Sequence, residues 1–136
     1  MSADPQSKRD SLTGWIVVVG SLLLLAVAIP LVLKLYGPRE MVMDLQGTPG
    51  GQIVWRFQSG LTTQTGITNV PVRLVFHARQ MEFTAHRTNY TGPLQLNVQI
   101  DGTFNSSASI GDTLGGLRFF HIRSGVSVTE GITGVP

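Results

Sequence analysis

Two hydrophobic patterns divide this chain. From Trp15 to Leu33, 19 uncharged and mostly apolar residues run without a break. Past Gly37-Pro38 the apolar positions recur at every second residue instead. As a helix the first run spans about 28 Å, close to the ~30 Å hydrocarbon core of a bilayer. It predicts one transmembrane helix over residues 15–36, with Trp15 and Tyr36 at the two interfaces and Lys34 beside the second.

The second pattern predicts strands. Ile53, Trp55 and Phe57 alternate with polar partners, as do Val72, Leu74 and Phe76, and then Met81, Phe83 and Ala85. Leu94, Leu96, Val98 and Ile100 alternate with Gln95, Asn97, Gln99 and Asp101, as a sheet with one buried face requires. Further strands are expected over 41–45, 103–109 and 117–123, with a short edge over 126–129. Turn residues punctuate these runs, and Asp101-Gly102 is a hairpin signal because that turn needs positive φ at its centre. The predicted class is all-β: an Ig-like antiparallel sandwich of seven to eight strands after one transmembrane helix, with a small barrel as the alternative. The expected domains are a cytoplasmic tail (1–14), the helix (15–36), a linker (37–40), the β-sandwich (41–130) and a flexible tail (131–136). Leu114-Gly115-Gly116 and Gly131–Gly134 read as mobile loops.

A signal peptide would also show a basic start, an apolar stretch and a small-residue site, here Lys8-Arg9, Ile16–Leu25 and Ala26-Val27-Ala28. Ile29–Leu33 carry the apolar stretch past that site, so an uncleaved anchor is expected. Pro30 is ordinary in a membrane helix. Gly20, Ser21 and Ala28 are small enough to admit a neighbouring helix, although no small-xxx-small pair repeats. The run holds no ionisable residue, which argues against a proton relay or ion path. It has no His to ligate a chlorin metal. Flanking charges are nearly balanced, and the short charged tail places the amino terminus in the cytoplasm.

Composition narrows the function. The chain has no cysteine, so it has neither a disulfide framework nor a thiolate metal site. From Met41 onward six dispersed arginines face five acidic residues, which sets aside a nucleic-acid binder with its basic stripe. Asn89-Tyr90-Thr91 and Asn105-Ser106-Ser107 match the glycosylation acceptor pattern, incidentally for a bacterial protein. His77, His86 and His121 lack zinc-type spacing. No nucleophile elbow, phosphate-cradling loop or haem-attachment motif occurs. The expectation is a non-enzyme with no cofactor, no metal and no identified small-molecule substrate. Trp55 is expected in the core. Phe119 and Phe120 must face opposite ways, which makes Phe120 with Ile122 the candidate partner contact, an exposed edge strand being the alternative.

The succession of Val70-Pro71-Val72-Arg73-Leu74, Glu82-Phe83-Thr84-Ala85, Leu96–Gly102 and a Ser-rich strand resembles the second half of the MmpS family of small mycobacterial membrane proteins. That family has a short tail, one helix and a β-sandwich. Its paired cysteines have no counterpart here. The resemblance implies an envelope binding module or transporter accessory. The architecture read from the residues favours a different role: a single-pass accessory subunit of a larger bacterial inner-membrane complex. Its helix would pack in the lipid bilayer against other transmembrane subunits, while its periplasmic domain caps the outer face. Photosynthetic reaction-centre or light-harvesting assemblies and respiratory complexes are candidate hosts.

Overall fold

The computed structural model describes residues 5–112, 115–124 and 127–136. The chain divides into two compact units, Met1–Gly37 and Pro38–Pro136. The first contains one apolar helix, α1 (Pro5–Tyr36). Proline suits the first helical position, where a missing N–H costs nothing. The tail expected over 1–14 is therefore helical from Pro5 onward. Gln, Lys, Arg and Leu are all good helix formers, and the apolar run supplies the nucleus they extend. At the far end Gly37 N–H donates to Leu33 O at 2.7 Å. A side chain on Gly37 would overlap that same carbonyl, so glycine is the residue that closes the helix.

The second unit is all β: β1 (Arg39–Gly47), β2 (Gln52–Ser59), β3 (Thr62–Asn69), β4 (Val72–Ala78), β5 (Met81–Arg87), β6 (Leu94–Ile100), β7 (Thr103–Ile110), β8 (Gly116–Ser124) and β9 (Ser127–Val135). They form two antiparallel sheets, in the orders β4-β1-β6-β7 and β3-β2-β5-β8-β9. Both contribute to one apolar core. Met41, Met43 and Leu45 of β1, Leu94, Leu96 and Val98 of β6, and Phe83, Leu117 and Phe119 of β5 and β8 are fully buried within it. Phe57 of one sheet stacks on Phe76 of the other at 4.3 Å between ring centroids. Trp55 meets Phe76 edge-on at 5.7 Å, inward as its alternation predicts.

The Asp101-Gly102 turn forms as expected, with φ of 50° and 76° joining β6 to β7. Three expectations change. The described residues hold nine strands rather than seven or eight. β3 is the addition: its sequence, Thr-Thr-Gln-Thr-Gly-Ile-Thr-Asn, does not alternate in hydropathy, and its ladder to β2 holds it. The linker ends at Pro38, because Arg39 already pairs with Ala78 and its guanidinium meets the Asp101 carboxylate. Residues 131–135, expected as a loop and tail, belong to β9, which pairs with β8 from Ser127 to Val135. There Glu130 and Ile132 stand opposite the buried His121 and Phe119, a period of two that the glycines obscure. Leu114, Gly125 and Val126, also assigned to turns, a loop or the expected edge, lie outside the described residues.

Candidate functional site

On α1 the stretch Thr13–Tyr36 contains an 18-residue window with a mean hydropathy of 3.0, none of it buried. Length and composition suit a membrane crossing, and a signal sequence has the same two properties. Trp15 and Tyr36 are exposed at its two ends, and Lys34 lies in the last turn, where a cation complements the helix dipole. Gly20 leaves a shallow apolar groove of about 410 Å³ between Trp15, Ile16, Val19 and Leu23. Ser21 Oγ donates to Val17 O at 2.8 Å, so its hydroxyl is satisfied inside the helix and needs no partner. At 3.6 residues per turn Ser21 and Ala28 share a stripe, with Gly20 roughly a quarter-turn away.

In the β domain the predicted contact residues fall on the outer face of the five-stranded sheet. Leu117 and Phe119 point inward and are fully buried, which turns Arg118, Phe120 and Ile122 outward. Ile122 is 51 % exposed. Phe120 is half-buried because its ring lies across Gly131 of β9: a Cβ there would sit 2.5 Å from Phe120 Cζ. Beside these residues opens a groove of about 550 Å³ lined by Gln58, Met81, Glu82, Arg118, Phe120, Ile122 and Thr133, among others. Arg118 crosses to Glu82 at 2.8 Å, so the groove carries one ion pair between apolar walls. Val54 and Ile67, paired across β2 and β3, are a second exposed apolar pair on the same face.

The three histidines are not brought together. His77 lies 3.6 Å from Glu40, both exposed on the outer face of the four-stranded sheet. His86, on β5, stands opposite Gly116. His121 is 3 % exposed, and its Nδ1–H donates to Glu130 Oε1 at 2.5 Å. The second oxygen of Glu130 accepts from Asn105 Nδ2 at 2.6 Å. One carboxylate thus bridges β8 of one sheet to β7 of the other. His121 Nε2 and Ser106 Oγ are buried without hydrogen-bond partners among the described residues. A carboxylate-oriented imidazole is half of a nucleophile-activating device. Here, however, the imidazole is sealed inside, and a substrate would have to part the sheets to reach Nε2. The arrangement acts as an inter-sheet clamp. Among the described residues no three His, Asp or Glu side chains gather as a metal set would.

Sequence patterns do not point to Arg87. Its side chain is 6 % exposed, donates to Gly111 O at 3.0 Å and to Gly92 O, and lies 6.0 Å from the centre of the Tyr90 ring. It straps the segment after β5 to the one after β7. Burial raises the Tyr90 phenol above its ordinary pKa, against the lowering pull of the Arg87 charge. No known protein-family model matches the chain, and no curated protein matches it significantly.

Proposed function

We propose that this chain is a non-catalytic, single-pass subunit of a larger bacterial membrane complex. In this reading α1 crosses the inner membrane with its amino-terminal side cytoplasmic. The two sheets are the layers of an Ig-like sandwich in the periplasm, and the face carrying Phe120 and Ile122 meets a neighbouring subunit. The observation that carries the proposal is the helix itself: from Thr13 to Tyr36 none of its apolar side chains is buried in protein. Exposed apolar surface on that scale calls for lipid or other helices. The single core shared by both sheets supports the sandwich. The non-catalytic reading draws support from His121, which is spent on Glu130 inside the fold, and from Arg118 and Glu82, which are spent on each other.

Extraction of the native protein in a mild detergent, followed by native electrophoresis, tests this. Comigration with a large assembly at fixed stoichiometry is expected. A free monomer or dimer would overturn the subunit role and favour the independent envelope module that the MmpS resemblance implies.

A further inference from the structure

Strand register gathers several turns at the end of the β domain where the chain arrives from α1. Arg39 opens β1 opposite Ala78, and Met41 stands opposite Ile100. The Arg79-Gln80 connection and the Asp101-Gly102 turn therefore lie at this end. Gln58 opposite Glu82 brings the Gly60-Leu61 hairpin there, and Ser59 Oγ donates to Gln80 O at 2.7 Å. Met81 opposite His121 adds the last residues of β8, Ile122, Arg123 and Ser124.

Two kinds of side chain collect at this end. Leu61 is wholly exposed at the tip of its hairpin, and Phe104 is 62 % exposed just past the Asp101-Gly102 turn. Basic residues stand among them. Arg79 and Arg123 line one groove of about 460 Å³, whose other walls are Ser59, Gly60, Gln80 and Ser124. Arg39 lies close by, on Asp101. Arg39, Arg79 and Arg123 thus share this end with Asp101, Glu40 and Glu82, the last paired with Arg118, which leaves a net positive charge beside exposed apolar tips.

We propose that this end of the β domain docks on an anionic bilayer surface, with Leu61 and Phe104 entering the headgroup region and the Arg79–Arg123 groove taking a lipid phosphate. The inference rests on the reading of α1 as a membrane span. Only Gly37 and Pro38 separate Tyr36 from Arg39, a reach of at most about 11 Å over three Cα–Cα steps. A tether that short makes lipid contact intramolecular, so modest intrinsic affinity suffices. Apolar side chains flanking basic ones is the composition that interfacial segments use, with aliphatic and aromatic groups below the phosphates and arginines among them. A protein partner at this end would have to share the space with headgroups that the tether already brings near.

The absence of cysteine allows clean single labels. Full-length chains bearing Leu24→Cys, Leu61→Cys, Phe104→Cys or Thr91→Cys carry an environment-sensitive fluorophore. They are placed in nanodiscs of phosphatidylcholine with or without phosphatidylglycerol, with nitroxide lipid as quencher. Quenching is expected at positions 24, 61 and 104 and not at 91. In the phosphatidylglycerol discs the docked-to-undocked ratio at 61 should fall on the order of fivefold for each of Arg79→Gln and Arg123→Gln. Quenching at 24 with aqueous labels at 61 and 104 would overturn the docking and leave the span intact. An unquenched label at 24 would overturn the span itself. Docking unaffected by either arginine replacement, or by phosphatidylglycerol, would overturn the phosphate groove.

Discussion

Trp55 of β2 lies across Gly66 of β3, its partner in the ladder. A Cβ on residue 66 would stand 2.5 Å from Cζ2 of the indole and 2.8 Å from Nε1. An aromatic ring covering a glycine on the adjacent edge strand supplies the packing that the glycine lacks. The indole cannot retreat, because Phe76 and Phe83 hold its other contacts at 5.7 and 6.5 Å. Gly66→Ala should therefore cost about 1–3 kcal/mol, the usual penalty of overpacking. Urea unfolding in micelles measures this as a lowered midpoint with an unchanged slope, and wild-type stability would show that the ring has room to move.

The same arrangement recurs at the opposite edge of the sheet, where Phe120 of β8 lies over Gly131 of β9. Here the ring is on the outer face, half-buried against β9. Gly131→Val is expected to leave stability within about 1 kcal/mol of wild type while pushing Phe120 off β9 and reshaping the groove beside Ile122. If that face meets a partner subunit, Gly131→Val and Ile122→Glu should each weaken comigration with the host complex. Native electrophoresis beside a thermal melt separates the two effects.

These two pairs also mark where the sequence was legible. Strands with one buried face declared themselves, as in Leu94–Ile100 and Ile53–Phe57, because burial imposes a period of two. The Asp101-Gly102 turn followed from backbone sterics alone. β3 was hidden because an edge strand can be held by its ladder, with polar residues on both faces and a neighbour's ring in place of its own side chain. β9 was hidden because its inward positions include Glu130 and Gly134, residues that read as polar loop until His121 and Leu117 are known to lie opposite. The outward pair Phe120 and Ile122 could be read from the parity of Leu117 and Phe119. The arginines near Leu61 could not, since they lie on β1, the β4–β5 connection and β8, which only strand register brings to one end.

Glu130 should matter to stability more than its partial exposure suggests. Glu130→Ala leaves Nδ1 of a buried histidine and the Asn105 amide without their acceptor, and it removes the bridge between β7 and the β8–β9 pair. Hydrogen bonds to charged groups contribute about 1.5–3 kcal/mol each, so a loss of roughly 2–4 kcal/mol is expected for the pair. Asn105→Ala should cost less, and the double variant should cost less than the sum, since both act through one carboxylate. Additive losses in thermal or urea unfolding would argue against a shared clamp.

Asp101 predicts how the β domain responds to acid. Burial by itself would raise its carboxyl. The Arg39 hydrogen bond, the Glu40 N–H at 3.1 Å and the charges of Arg39 and Arg123 outweigh that, and hold it below its ordinary value of 3.8. A carboxyl whose pKa is lower folded than unfolded adds stability above the unfolded value, and that stability is lost as pH falls through the folded value. The window therefore lies below about pH 4, with no contribution to pH dependence near neutrality. Asp101→Asn preserves the turn, because asparagine tolerates the left-handed backbone that residue 101 adopts at φ 50°. It removes the charge that Arg39 holds. Unfolding followed between about pH 6 and pH 2 should show wild-type stability falling in the acid limb and a flatter limb for Asp101→Asn. Near neutral pH the variant should be the less stable of the two, and the gap should close as the wild-type carboxyl takes its proton. An acid limb of the same slope in both proteins would assign the acid response to other carboxylates.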